Sequence, residues 1–165
     1  MGAVYERGSG DGFIRCSDGH VRWGIYGAAG VVFVLLDGAE PHVMLQKRSA
    51  MAHEGGTWSC AGGALHQAEM PLDGALREAT EEVGHIPEPY RVVGQHVFRP
   101  ARDWAYTTVV VQVPERFGRS MTFETEAVGW FTPTEIDRLP LHAGFAAAWP
   151  HLRAMIEPGE PSFQR

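Results

Sequence analysis

Cysteines, long apolar runs and basic residues are scarce in this 165-residue sequence. The two cysteines, Cys16 and Cys60, lie far apart and outside any CxxC pair, so neither a disulfide framework nor a zinc site is expected. Cys60 lies among apolar residues and is expected to be a buried thiol. No apolar run reaches the length of a membrane span, and the N-terminal residues lack the apolar core of a signal peptide. The sequence therefore predicts a cytoplasmic protein without a membrane partner.

The charge balance narrows the choice of partners further. The sequence has 20 acidic residues against 14 lysines and arginines, which gives a formal net charge of -6. Tight non-specific binding to nucleic acid needs a basic surface, so no nucleic-acid partner is expected. A phosphorylated small molecule stays open, because a bound metal ion can reverse the local charge.

Length and composition fit one folded domain over residues 1–165. Hydrophobic residues make up 44% and charged residues 21% of the chain, which is ordinary for a globular protein with a sizeable core. We expect the glycine-rich segment 1–12 to be flexible. The order of strands, a central helix, more strands and a final helix predicts a mixed α/β (α+β) layered domain.

Periodicity and turn residues locate the elements of this domain. A hairpin is predicted over 13–23, around the Asp18-Gly19 turn signal. The remaining strands are predicted at 31–36, 42–48, 57–61, 91–98, 106–113 and 127–131. The predicted helices are 71–83, 132–139 and 142–156. A loop is predicted over 62–71, directly ahead of the first helix.

The helix predicted at 71–83 carries an unusual density of acid. At 100° per residue its apolar residues fall on one side, and Glu78, Glu81 and Glu82 fall on the other. Carboxylates clustered with backbone carbonyls are the ligands of hard cations such as Mg²⁺ or Mn²⁺. An acidic helical face on its own is more often solvated surface.

The segment ahead of this helix bears on that choice. Gly62 and Gly63 permit a close approach of the backbone to a ligand, and Glu69 adds another acid. A backbone carbonyl of this segment would then lie beside the helical glutamates as a further ligand. The combination favours a divalent-cation site over a solvated face.

The spacing from Gly63 to Gly84 resembles the signature of the Nudix hydrolases, GX5EX7REUXEEXGU, in which U is a bulky aliphatic residue. Every fixed position is matched, by Gly63, Glu69, Arg77, Glu78, Glu81, Glu82 and Gly84. Ala79 is small at the first U, His85 replaces the last U, and Ala61 stands where a proline often precedes the double glycine. None of these departures is a metal ligand, so we expect local packing differences and retained activity.

The resemblance implies an α/β/α sandwich with a mixed central sheet. It also implies metal-dependent hydrolysis of the pyrophosphate bond of a nucleoside diphosphate linked to another moiety. The implied ligands of Mg²⁺ or Mn²⁺ are the Gly62 carbonyl, Glu78, Glu81 and Glu82. The implied catalytic residues are Arg77, which would orient the glutamates, and Glu78 or Glu81 as proton acceptor, with Glu78 preferred. Gly63 and Glu69 would shape and fasten the loop.

A further acid often joins the metal site of this family from a loop before a late strand. The candidates here are Glu124 and Glu126, and the alternative for both is an exposed loop acid. Glu124 is preferred because it lies six residues before Trp130, a spacing common in the family.

The residues that select the substrate lie outside the signature. The segments GAAGVVFVLL and VMLQKRS resemble hydrolases of nucleoside triphosphates, including oxidised ones. Pro100, 15 residues after His85, instead resembles the ADP-ribose pyrophosphatases, so ADP-ribose or a nucleotide sugar is the alternative. The candidate phosphate-binding residues are Arg48 and Arg99, and Arg102 is a further candidate. Phe98 and Tyr106 are the candidates for stacking on a base, and Trp104 is a further one. Solvated surface is the alternative for the arginines and core packing for the aromatic residues.

A second class of function is a non-catalytic module of the same fold that senses a nucleotide. Such modules usually have an eroded signature, so the intact glutamates favour an enzyme. A third possibility, an α/β domain without a metal, fits the loop spacing poorly. Many relatives in the family dimerise, and the hairpin 13–23 is the candidate interface of a homodimer.

Overall fold

The computed structural model describes residues 8–157, in which helices lie on both sides of a mixed sheet. The strands are β1 (Phe13–Arg15), β2 (Val21–Trp23), β3 (Ala28–Leu35), β4 (His42–Arg48), β5 (Trp58–Ser59), β6 (Ala61–Ala64), β7 (Arg91–Ala101), β8 (Trp104–Gln112) and β9 (Thr125–Phe131). The helices are α1 (Pro71–Val83), α2 (Pro133–Ile136) and α3 (Ala143–Ile156). The strands and helices expected from the periodicity are present, with shifted ends.

Strand β3 is the centre of the larger sheet. It pairs in parallel with β8, and in antiparallel fashion with β6 over its first half and with β4 at its end. Strand β7 extends the sheet beyond β8, while β5 and β9 pair with β4. Because one pairing is parallel and the others are antiparallel, the sheet is mixed, as expected.

Every residue of β3 is buried because helices cover both faces of the sheet. Ala29 and Phe33 point towards α1, whereas Val32 and Val34 point towards α2 and α3. The expected α/β/α sandwich is therefore confirmed. Within residues 8–157, no helix combines the length and the apolar character needed to cross a bilayer.

The helices begin and end close to the residues predicted from the sequence. Pro71 stands at the start of α1, and the Gly84 N–H donates to the Thr80 carbonyl at its end, 3.2 Å away. The apolar residues at helical spacing in α3 are all buried against the sheet, namely Phe145, Trp149, Leu152 and Ile156. The amphipathic pattern thus placed both helices correctly.

The predicted loop over 62–71 is wrong at its start, because Gly62 and Gly63 belong to β6. They pair with Gly30 and Ala29 of β3 in antiparallel register. Glycine disfavours strands when taken alone, but the hydrogen bonds offered by the edge of β3 override that preference here. The two glycines are consequently held by the sheet.

Part of the N-terminal segment expected to be flexible, residues 1–7, lies outside the described residues. In the remainder, the Gly8 carbonyl accepts from the N–H of Gln67 at 3.0 Å, and the Gly10 carbonyl accepts from the N–H of Ile25 at 2.9 Å. Gly10 is buried. This part of the segment therefore lies against the loop ahead of α1.

Candidate active site

Two glutamates of α1 pack directly on the glycine strand β6. A Cβ atom on Gly63 would lie 2.5 Å from the carboxyl carbon of Glu78. The Gly62 N–H donates to Oε2 of Glu82 at 3.3 Å. Neither glycine adopts a positive φ. The absence of a side chain, rather than unusual backbone angles, is what this contact requires.

Arg77 joins the helix to the loop ahead of it. Its Nε and Nη2 atoms donate to the two carboxylate oxygens of Glu69 at 3.0 and 2.9 Å, and Nη2 also donates to the Ala64 carbonyl at 3.0 Å. Nη1 donates to Oε1 of Glu78 at 2.8 Å. The guanidinium stabilises the ionised carboxylate and thereby lowers the pKa of Glu69 to about 2. Glu81 lies further out, with its side chain 61% exposed and Oε1 3.9 Å from Arg77.

Burial raises the pKa of Glu82 to about 7 and also raises the pKa of Glu78. Hydrogen bonds from Gln46 and Gly62 act in the opposite direction on Glu82 but do not cancel its desolvation. The negative charges of Glu78 and Glu124 raise the pKa of Glu82 further. Desolvated carboxylates that repel each other fit a hard divalent cation, because the cation neutralises both.

The loop before β9 supplies the additional acid. Glu124 is exposed, and its negative charge contributes to the raised pKa of Glu82. The same loop is fastened to the end of α1, since the Met121 N–H donates to the Glu82 carbonyl at 3.0 Å. Glu126 instead makes an ion pair with Lys47 at 3.5 Å. Of the two acids considered, Glu124 is the one whose charge affects a helical glutamate, and it stays the preferred candidate.

The predicted aromatic residues differ in their surroundings. The Tyr106 hydroxyl lies 3.9 Å from Sγ of the buried Cys60, and a Cβ on Gly62 would lie 2.7 Å from it, so the hydroxyl rests on the glycine strand. Phe98 is paired with Tyr106 across β7 and β8 and is 53% exposed. Trp104 is buried and donates from Nε1 to a backbone carbonyl of β2 at 3.3 Å. The ring of Phe98 is open to a ligand, whereas Trp104 packs in the core.

The predicted arginines also have separate roles in the fold. Arg48 donates from Nε to the His53 carbonyl at 2.7 Å and so holds the loop between β4 and β5. Arg99 and Arg102 are exposed and line an open cleft together with Tyr26. These two guanidinium groups are therefore available to an anion.

A second cluster of potential metal ligands lies at the start of α3. Oε2 of Glu54 is 2.8 Å from Nε2 of His142 and 3.7 Å from Nδ1 of His53. The Gly144 N–H donates to Nδ1 of His142 at 3.2 Å, so the neutral ring carries its proton on Nε2 and donates it to Glu54. Because both nitrogens of His142 are engaged, this cluster caps α3 and ties it to the β4–β5 loop.

The sequence analysis missed two residues near the glutamates. Gln46 is buried in β4 and donates from Nε2 to Glu82 at 3.0 Å. The sequence feature that could have revealed Gln46 is a polar residue at a buried position, because it shares a strand face with Met44 two residues earlier. Asp11 comes from the N-terminal segment, and its charge contributes to the raised pKa of Glu78. No local pattern links Asp11 to the signature, because the position of its charge depends on how the segment folds back.

Comparisons with known proteins agree with this geometry. A family model described as a NUDIX domain matches residues 27–163 of the chain. A Mycobacterium tuberculosis protein named "Putative 8-oxo-dGTP diphosphatase 3" is 39% identical over 154 residues, which cover 89% of this chain and 70% of that protein. A Bifidobacterium longum protein named "Nucleoside triphosphate pyrophosphatase/Nudix hydrolase fusion protein" is 34% identical over 156 residues, which cover 90% of this chain and 32% of that protein.

A solved structure shares both sequence and fold with the chain. The crystal structure of a Nudix hydrolase from M. smegmatis, RenU, is 31% identical and superposes with a TM-score of 0.75. The match covers 94% of this chain and 100% of that one. The shared fold therefore includes the strands and the helix that carry the glutamates.

Proposed function

Because the chain belongs to the Nudix hydrolase family, we propose that this pyrophosphohydrolase acts on nucleoside triphosphates, oxidised ones included, with Mg²⁺ or Mn²⁺ as its cofactor. The observation that carries the proposal is the packing of Glu78 and Glu82 against β6, where burial raises the pKa of both carboxylates. A divalent cation bound beside these two carboxylates would stabilise their ionised form and so offset the cost of their burial.

The proposed ligands come from β6, from α1 and from the loop before β9. They are the Gly62 carbonyl, Glu78, Glu81, Glu82 and Glu124. These residues would hold a divalent ion, which would neutralise the anionic pyrophosphate and lower the pKa of a bound water. The hydrogen bonds from Arg77, Gln46 and Gly62 would keep Glu78 and Glu82 oriented for that ion.

Glu78 is the proposed general base. Arg77 donates to its Oε1 atom at 2.8 Å, which fixes the carboxylate, while none of the described residues donates to its Oε2 atom. In this position the carboxylate would accept the proton of the attacking water. Glu81 is the alternative acceptor, since it lies on the exposed rim beside Arg77.

The proposed contacts to the substrate lie outside the signature. Arg48 and Arg99 would bind phosphates, and Phe98 and Tyr106 would lie at the base, with the exposed ring of Phe98 available for stacking. The name of the mycobacterial relative supports an oxidised triphosphate. ADP-ribose or a nucleotide sugar is the second candidate, and Pro100 is the observation that favours it.

A panel of substrates tests the proposal. The purified protein is incubated with Mg²⁺ and then Mn²⁺, together with nucleoside triphosphates, 8-oxo-dGTP, ADP-ribose, a nucleotide sugar and a dinucleoside polyphosphate. We expect a triphosphate to be converted to a monophosphate and pyrophosphate at the highest rate, and a chelator to abolish the reaction. If ADP-ribose were turned over faster than every triphosphate, the proposed triphosphate substrate would be wrong and ADP-ribose would take its place. Metal binding without turnover of any compound would support the nucleotide-sensing alternative.

The variant Glu82→Gln checks the site in the same assay. We expect near-complete loss of turnover with folding retained, because the neutral amide is a poor cation ligand of the same size. Glu126→Gln is the matched control, since Glu126 pairs with Lys47 and is not a proposed ligand. Unchanged hydrolysis by Glu82→Gln would contradict the assignment of the site.

A further inference from the structure

Gln46 is a buried polar side chain whose amide nitrogen has a hydrogen-bond partner and whose amide oxygen has none among the described residues. The residue is 8% exposed, and its Nε2 atom donates to Oε2 of Glu82 at 3.0 Å. Its Oε1 atom is also buried, yet no group within residues 8–157 donates to it. Buried acceptors are nearly always paired in folded proteins, so an unpaired one beside a candidate metal site calls for a function.

The effect of Gln46 on Glu82 is directional. The Gly62 N–H donates to the same carboxylate oxygen, Oε2, at 3.3 Å. Oε2 of Glu82 therefore receives two hydrogen bonds, whereas none of the described residues donates to its Oε1 atom. Two donors on one oxygen fix the plane of the carboxylate and leave the other oxygen for an external ligand.

The orientation of the amide follows from the same contact. If the Gln46 amide were turned over, its Oε1 atom would face Oε2 of Glu82, and two acceptors would meet without a proton between them. The orientation with Nε2 towards Glu82 is therefore the one that pairs a donor with an acceptor. It leaves the amide oxygen without a donor among residues 8–157, on the same side chain that holds the carboxylate.

We propose that Gln46 is a positioning residue of the metal site, which holds Oε2 of Glu82 through its N–H and offers its amide oxygen to a water bound beside that carboxylate. This role rests on the proposed function, because it presupposes a cation at Glu82. Carboxylates that bind metals are commonly oriented by hydrogen bonds from residues that do not touch the ion. Mg²⁺ also retains several waters, whose O–H groups need acceptors.

Other side chains would not satisfy both requirements at this position. Glutamate would place a second negative group 3.0 Å from Glu82, where the Gln46 nitrogen now lies. Asparagine is one methylene too short to keep the hydrogen bond. Methionine has the length of glutamine but offers neither the N–H donor nor the amide acceptor. Gln46→Met and Gln46→Asn therefore remove the interaction in two different ways.

Binding of Mn²⁺ to the metal-free protein is the decisive measurement, because it does not depend on turnover. Free Mn²⁺ is followed by electron paramagnetic resonance during titration of wild type and variants. We expect Gln46→Met to raise the Kd about 10- to 100-fold, the usual effect of removing a residue that orients a metal ligand. Met44→Leu is the matched control, because Met44 is 3% exposed on the same face of β4 and is no part of the proposed site. Its Kd should stay within about twofold of wild type.

Kinetics supply a second signature that a purely structural role would not give. The Mn²⁺ concentration for half-maximal rate should rise by the same factor as the Kd, while the KM for the nucleotide stays unchanged. Saturating Mn²⁺ should therefore restore much of the rate. If Gln46→Met does not fold, as judged by circular dichroism, Gln46→Asn provides the same comparison with an amide retained.

The outcomes separate this proposal from the proposed function. A folded Gln46→Met or Gln46→Asn protein with the wild-type Kd would overturn the role of Gln46 and leave the hydrolase assignment intact. Wild type that binds Mn²⁺ but hydrolyses nothing would overturn the proposed substrate chemistry, while the expected rise in Kd would still support the role of Gln46. Wild type that binds no Mn²⁺ would overturn both.

Discussion

At the scale of single residues, the hydrogen atom that serves as the side chain of Gly63 determines where Glu78 can lie. The carboxyl carbon of Glu78 occupies the space that a Cβ on Gly63 would need, at a separation of 2.5 Å. Alanine at this position forces the carboxylate away from β6 and from its hydrogen bond with Arg77. We expect Gly63→Ala to lower turnover about 100-fold, the order of effect produced by a 1 Å misplacement at a catalytic centre.

The rate of Gly63→Ala should be compared with that of Gly38→Ala. Gly38 has no atom within 4 Å of its hypothetical Cβ, so alanine there should leave the rate unchanged. Circular dichroism confirms that both variants fold. Wild-type turnover by a folded Gly63→Ala protein would show that the position of Glu78 does not limit the reaction.

The residues of the candidate site could be predicted where their contacts are local in the sequence. Glu69, Arg77 and Glu78 lie within ten positions of one another, and their charges leave few ways to pair them. The contact of Gln46 with Glu82 spans 36 positions and depends on the placement of β4 against α1. Since a shift of one residue would turn Gln46 to the other face of the sheet, no local pattern determines that contact.

At the scale of elements, the pairing of Glu69 with Arg77 attaches the loop after β6 to α1. The pKa of Glu69 is about 2 in the folded protein and 4.5 for an unperturbed glutamate. Because the folded value is lower, the pair contributes its full stability above about pH 4.5, and this contribution is lost as the pH falls towards 2. We expect Glu69→Gln to lower the free energy of unfolding by about 2 kcal/mol at pH 7.

Urea denaturation of wild type and Glu69→Gln at pH 7, 4 and 3 measures this linkage. The difference between the two proteins should shrink below pH 4.5. Glu40→Gln, in the exposed turn after β3, should match wild type at every pH. A constant difference between wild type and Glu69→Gln across this range would mean that Glu69 acts through packing and not through its charge.

Elements with a clear period were predictable, and β6 was not. The apolar spacing of α1 and α3 and the uninterrupted apolar run in β3 each indicate one conformation. Strand β6 contains Gly62 and Gly63, which carry no pattern of alternation and usually indicate a turn. Their conformation is imposed by the edge of β3, so it depends on the sheet and not on the segment itself.

At the scale of the whole molecule, the outer face of the β1–β2 hairpin is the candidate homodimer interface. Phe13 and Trp23 pair edge to face on it, with ring centroids 4.9 Å apart, and they are 72% and 45% exposed. We expect the protein to dimerise through this face and Phe13→Ser to shift it to monomers, because burying these rings drives association. Light scattering over a range of concentrations measures the shift.

Val97→Ser is the matched control for the dimer, because Val97 is 41% exposed on β7 and is not part of the hairpin. It should leave the mass of the particle unchanged. A wild-type monomer at every concentration would rule out the dimer. Equal effects of the two serine variants would place the interface elsewhere.

The N-terminal segment lies outside the part of the chain that matches the family, yet it affects the candidate site. The family model begins at residue 27, yet Gly8 is bound to Gln67 and the charge of Asp11 reaches Glu78. A chain trimmed to the matched residues would keep every signature position and lose one of the charges around them. An intact signature therefore does not fix the full set of charges around its glutamates, because one of them comes from a segment outside the matched residues.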